Sequence, residues 1–125
     1  MRHGVYTYTC ADKPYIYYGE VYVSLNAEGQ VEVTQMIEWM PPSRHPDDMG
    51  AFVQYEVEYS VRNDPQGSHT IYTTSLSATF STTIYPTYCS THVRALYENG
   101  PGPWSNLQHQ SVAPSGTLSV LCSGE

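Results

Sequence analysis

The chain has 125 residues, enough for one domain with its own core. Hydrophobic residues make up 40% and charged residues only 14%, with 12 tyrosines, the single lysine Lys13 and a formal net charge of −7. An acidic chain of this kind argues against nucleic acid, whose phosphates demand a basic patch, and against adsorption to an anionic membrane surface.

In chain order, "MRHGVYTYTC" lacks the apolar run of a secretory signal. Residues 1–19 are expected to be an N-terminal extension or the remnant of a preceding domain, although "GVYTYTC" also reads as an outer strand. "EVYVSLN" offers Val21, Val23 and Leu25 on one strand face. After the turn signal "NAEG", "VEVTQMIEW" places Val31, Val33, Ile37 and Trp39 on one face, interrupted by Gln35. The prolines of "PPSRHPDDMG" end that ladder. "FVQYEVEYSVR" is the clearest signal: Val53, Tyr55, Val57, Tyr59 and Val61 alternate with polar residues. Beyond "NDPQGS", "LSATFSTTI" sets Leu76, Ala78, Phe80, Thr82 and Ile84 on one face. After the corner "YPT", "CSTHVRALY" does the same with Cys89, Thr91, Val93, Ala95 and Tyr97. "ENGPGP" reads as a hairpin loop, because Asn99 and Gly100 tolerate positive φ and the prolines restrict the rest. "WSNLQHQSV" is a plausible last strand, and residues 114–125 read as a C-terminal linker. The pattern predicts an all-β chain of about seven short strands, a sandwich. No run of about 18 apolar residues is present to span a membrane.

Few residues form a constellation that carries chemistry. Cys10, Cys89 and Cys122 are too far apart for a CxxC metal or redox motif. Cys89 and His92 are three apart on a strand, so they face opposite ways and make a poor nucleophile–base pair. His45, Asp47 and Asp48 could offer metal ligands, but three on one loop without a distant fourth make a poor site. "ENGPGPWS" lacks the helix start and lysine of a phosphate loop. The residues therefore predict no catalytic group, no cofactor and no metal.

The ordered set "IEWMPP", "YEVEY" and "IYPT…VRALYENGPGPWS" resembles a fibronectin type III domain over residues 20–113. That resemblance implies a seven-stranded antiparallel immunoglobulin-like sandwich. Its core would hold Trp39, Tyr55, Val57, Tyr59, Val93 and Ala95, and the strand of Tyr55 would neighbour that of Val93. Glu56 and Glu58 would then meet His92 and Arg94 on the outer face. The family usually has an inward tyrosine where the alternation here puts Cys89, unless a bulge brings Tyr88 inward.

The resemblance further implies a non-catalytic protein–protein interaction or spacer module of a larger cell-surface, adhesion or matrix protein, extracellular, with neighbouring domains and protein partners. Fold alone does not assign that role. The candidate interaction loops contribute Arg44, His45, Asp47, Asp48, Asn99 and Gly100. Two alternatives remain: an auxiliary domain of a receptor tyrosine kinase or phosphatase ectodomain, or a carbohydrate-binding accessory module of a secreted glycosidase. A cytokine-receptor-type module would carry Trp-Ser-x-Trp-Ser, whereas Trp104-Ser105 is followed by Asn106-Leu107-Gln108.

Overall fold

The computed structural model describes residues 11–83 and 88–111. Cys10, Cys122, Ile84, the Tyr85-Pro86-Thr87 corner and the expected linker lie outside them. The chain is all-β, with two antiparallel sheets packed as a sandwich. The strands are β1 (Tyr15–Leu25), β2 (Val31–Met40), β3 (Phe52–Val61), β4 (Ser68–Thr73), β5 (Ser77–Thr82), β6 (Tyr88–Tyr97), β7 (Gly100–Trp104) and β8 (Gln108–Ser111). One sheet has the order β1-β2-β5; the other runs β4-β3-β6-β7, with β8 also paired to β6.

The alternation of β2, β3 and β6 sends one face of each into the core. Ile37, Trp39, Val57, Val93 and Ala95 are all but sealed from solvent, and Tyr55 is buried beside the Trp39 ring at 5.4 Å. Tyr59 is only half-buried, stacked on Phe80 of the facing sheet at 3.8 Å. Cys89 is the inward residue at the start of β6, and Tyr88 points outward, partly exposed.

Four expectations need correcting. The boundary expected at residue 20 falls inside β1, and Ile16, from the supposed extension, is a core residue. Val23 and Leu25 are exposed at the far end of β1, a sheet edge, whereas nearer its start Gly19 packs against the Gln110 side chain of β8. Val53 is also exposed: the register slips between Phe52 and Gln54, so the inward series starts at Tyr55. Leu76 lies just outside β5, where its carbonyl accepts a hydrogen bond from the Trp39 N–H.

Of the expected last strand, Trp104 ends β7 and Gln108–Ser111 form β8, while the rest of β7 comes from the expected hairpin loop, giving eight strands among the described residues. Ser105 and Asn106 cause the break by using side chains where a strand would use backbone. The Val93 N–H donates to Ser105 Oγ at 2.9 Å, and the Ser105 N–H donates back to the Val93 carbonyl at 2.7 Å. Asn106 turns across to the other sheet. Its Oδ1 accepts from the Ile16 N–H at 2.9 Å and its Nδ2 donates to the Ile16 carbonyl at 3.1 Å. Asn106 thus satisfies both backbone groups of a fully buried residue, next to the β1 bulge between Ile16 and Tyr18.

Candidate functional site

The residues proposed for interaction gather at one end of the sandwich. The 41–51 segment leaves β2 through Pro41 and Pro42, which end the ladder, and returns to β3. It is pinned onto the two-residue turn between β6 and β7. The Asn99 N–H donates to the Met49 carbonyl at 2.9 Å, the Glu98 N–H to the Ala51 carbonyl at 3.0 Å, and Asn99 Nδ2 to the Asp48 carbonyl at 2.9 Å. Asp48 and Gly50 take φ of 62° and 77°, which lets the chain reverse over this turn. His45 Nε2 lies 2.8 Å from the Gly50 carbonyl, so the imidazole serves the loop rather than a ligand set with Asp47 and Asp48. Arg44 holds Asp12 through Nε and Nη2 at 2.7 and 2.8 Å, tying the segment before β1 to the same end.

Arg44, His45, Asp47, Asp48 and Asn99 are therefore brought together. Gly100 opens β7 with φ of 138°, and Pro101 and Pro103 are strand residues. The loop expected over residues 99–103 is thus only a tight turn; the prolines are tolerated because β7 is an edge.

Between this pinned loop and the sandwich lies an open cleft of about 250 Å³. Pro41 and Pro42 line it beside Phe52, Tyr55 and Tyr97, with Arg44 and His45 completing the wall. The rings touch in sequence. His45 meets Tyr97 edge-on at 5.1 Å, Tyr97 meets Phe52 at 6.3 Å, and Phe52 meets Tyr55 at 4.8 Å. Phe52 is 42% exposed, a large apolar ring left in water. Burial pushes the Tyr55 phenol above its ordinary pKa, with Tyr97 adding to it; burial does the same for Tyr97, with Asp12 adding. Both therefore stay protonated hydroxyls well beyond neutral pH. The cleft was hidden in the sequence because the bulge at Val53 decides that Phe52 joins Tyr55 there.

The outer face of the β3–β6 sheet carries a ladder of charge and aromatic pairs. Glu56 lies opposite Arg94, an ion pair at 2.7 Å, and Glu58 opposite His92, whose Nε2 lies 2.8 Å from its Oε1. Trp104 covers both partners: its ring stacks on His92 at 3.7 Å, and the Arg94 guanidinium sits 4.3 Å from it. The hydrogen bond from His92 holds the Glu58 carboxyl below its ordinary range against the cost of burial, with Ser68 and the Arg94 charge adding lesser help. Farther along β6, Ser90 Oγ lies 3.0 Å from His109 Nδ1, a pair the sequence did not suggest because 19 residues separate the two. A hydroxyl–imidazole contact needs an orienting acid to make a nucleophile. Among the described residues no carboxylate bonds to His109, whose ring stacks on Tyr88. Cys89 is buried while His92 faces outward.

Among the described residues no group of three His, Cys, Asp or Glu side chains is arranged to hold a metal ion. Among them, too, no helix is long and apolar enough to cross a membrane. No protein-family model matches the chain, and no curated protein matches it in sequence.

Proposed function

We propose that the chain is a fibronectin type III-like module that works as a non-catalytic protein-interaction or spacer unit of a larger cell-surface, adhesion or matrix protein. Counting β7 and β8 as two halves of one edge strand gives the seven strands that the resemblance implies. The adjacency of β3 and β6, with Trp39, Val93 and Ala95 in the core, also supports it. The observation that carries the interaction role is the loop end. Backbone bonds pin the 41–51 segment to the β6–β7 turn, so His45, Asp47 and Asp48 stand exposed on a rigid base. Rigid presentation lowers the entropy cost of binding.

The test compares wild type with the triple variant His45→Ser, Asp47→Ser, Asp48→Gly, which leaves the Asn99 and Glu98 ties in place. Both are immobilised and exposed to an extracellular protein mixture. The reading expects a partner retained by wild type and lost by the variant, which still unfolds cooperatively with only the small stability loss that the missing His45–Gly50 bond brings. Equal retention by both would place the interaction elsewhere. Turnover of an ester or peptide substrate that is abolished by Ser90→Ala would refute the non-catalytic role.

A further inference from the structure

We propose that the cleft beside this loop binds an extended, proline-rich segment of a partner protein in the polyproline II conformation. This rests on the interaction-module reading above and names the chemistry of the partner. Three features of the cleft select that class. The first is the row of rings from His45 through Tyr97 and Phe52 to Tyr55, in which Phe52 and His45 are exposed and the largely buried Tyr55 and Tyr97 form the floor. Aromatic-lined grooves suit the flat pyrrolidine rings of such a segment, whose preformed conformation lowers the entropy cost of docking.

The second feature is hydrogen-bonding capacity. Among the described residues nothing hydrogen-bonds the Tyr55 or Tyr97 hydroxyl, and no carboxylate or carboxamide side chain lines the cleft. A polyproline backbone presents carbonyls that lack internal partners, and no N–H groups. Two phenol donors match that need. A sugar presents hydroxyl donors in equal measure, which this lining, without a carboxylate or carboxamide, meets only through the two phenol oxygens and the His45 ring.

The third feature is charge. Among the described lining residues Arg44 alone is permanently charged, and Asp12 holds it through two hydrogen bonds. The cleft is thus close to neutral. Neutrality fits an uncharged segment and disfavours a quaternary ammonium or a phosphate.

The experiment titrates the full chain with decaproline, with a Gly-Ser peptide of equal length and with a neutral oligosaccharide, followed by amide chemical shifts. Saturable binding of decaproline alone is expected, with shifts centred on Phe52, Tyr55 and Tyr97. Phe52→Ala, at an exposed position, should weaken binding by about tenfold. Tyr97→Phe, which removes only a hydroxyl, should weaken it by about two- to tenfold. Absence of saturable decaproline binding overturns the proposal. So does decaproline binding that both variants retain at wild-type affinity. Oligosaccharide binding that both variants lose would assign the cleft to a different ligand class and overturn it too. A protein partner lost by the His45, Asp47 and Asp48 variant, alongside no decaproline binding, would leave the interaction-module reading standing and this one refuted.

Discussion

Asn106→Ala removes a side chain that ties the edge strand β1 to the segment between β7 and β8 by hydrogen bonds to its buried backbone. Ile16 is fully buried, and its N–H and carbonyl are both satisfied by the Asn106 amide, at 2.9 and 3.1 Å. The substitution leaves a donor and an acceptor with no partner and, at a residue 4% exposed, little room for water to replace the amide. Each orphaned buried group costs about 1–3 kcal/mol, so the two together cost about 2–6 kcal/mol. Against a typical domain stability of about 5–15 kcal/mol, that is a large fraction. Equilibrium urea unfolding read by tryptophan fluorescence measures it, with an unchanged m-value showing that the folded and unfolded states expose the same surface as before. Amide exchange adds a local reading, since Ile16 should lose protection more than Val57. A loss below about 1 kcal/mol at constant m, with Ile16 still protected, would refute the claim that Asn106 carries the join.

Gly50→Ala tests how the loop end is held. At φ of 77° an alanine costs about 1–2 kcal/mol in backbone strain, and its Cβ would stand 2.8 Å from Glu98 Oε1 and 2.9 Å from Glu98 Cβ. Gly29→Ala has a similar φ of 82° but meets open space, so it reports the strain alone. Thermal unfolding should show the larger loss for Gly50→Ala; equal losses would mean that the Glu98 contact does not constrain the loop. Acid should weaken the fold through Glu58 and Asp64. His69 and the Gln66 N–H hold the Asp64 carboxyl low, as His92 does for Glu58. A carboxyl depressed in the folded state binds protons first in the unfolded state. Its contribution is therefore complete above the ordinary values of 4.5 for Glu58 and 3.8 for Asp64, and is lost as pH falls below them through the folded values. Melting temperature between pH 5 and 3 should fall less steeply in the double variant Glu58→Gln, Asp64→Asn, and an unchanged slope would remove these pairs from the acid response.

The legible part of this molecule is the part governed by simple alternation. In β2, β3 and β6 the period of two survives almost intact, so the core around Trp39, Val57 and Val93 can be read directly. The cross-strand partners of Glu56 and Glu58 then follow from register. Period alone misleads where a strand slips or loses its cover. One extra residue at Val53 turned an expected core valine outward. β1 is apolar in sequence, yet as a sheet edge it is covered only in part. β4, "SHTIYT", has too polar a face to announce itself and is fixed by its register with β3.

The polar residues Gln35, Thr91, Gln108 and Gln110 show the same limit from the other side. Gln35 reads in sequence as an interruption of an apolar face. In the fold its Nε2 bonds to Gln110 and its Oε1 accepts from Thr91 at 3.3 Å, inside the sandwich. Gln35, Thr91 and Gln110 are buried because partners on distant strands satisfy them, and only the packing of the two sheets supplies those partners. Gln108 instead donates to the carbonyl of its neighbour His109, and among the described residues nothing bonds its Oε1. Asn106 obeys the same rule, as does Ser105, which fills the break in the edge strand with its hydroxyl. Hydrophobic period thus specifies which face of a strand goes inward, while these pairings specify how the two sheets lie on each other. The cleft at the loop end depends on both: alternation buries Tyr55 and Tyr97, and the bulge, together with the turn at Asn99, sets Phe52 and His45 beside them.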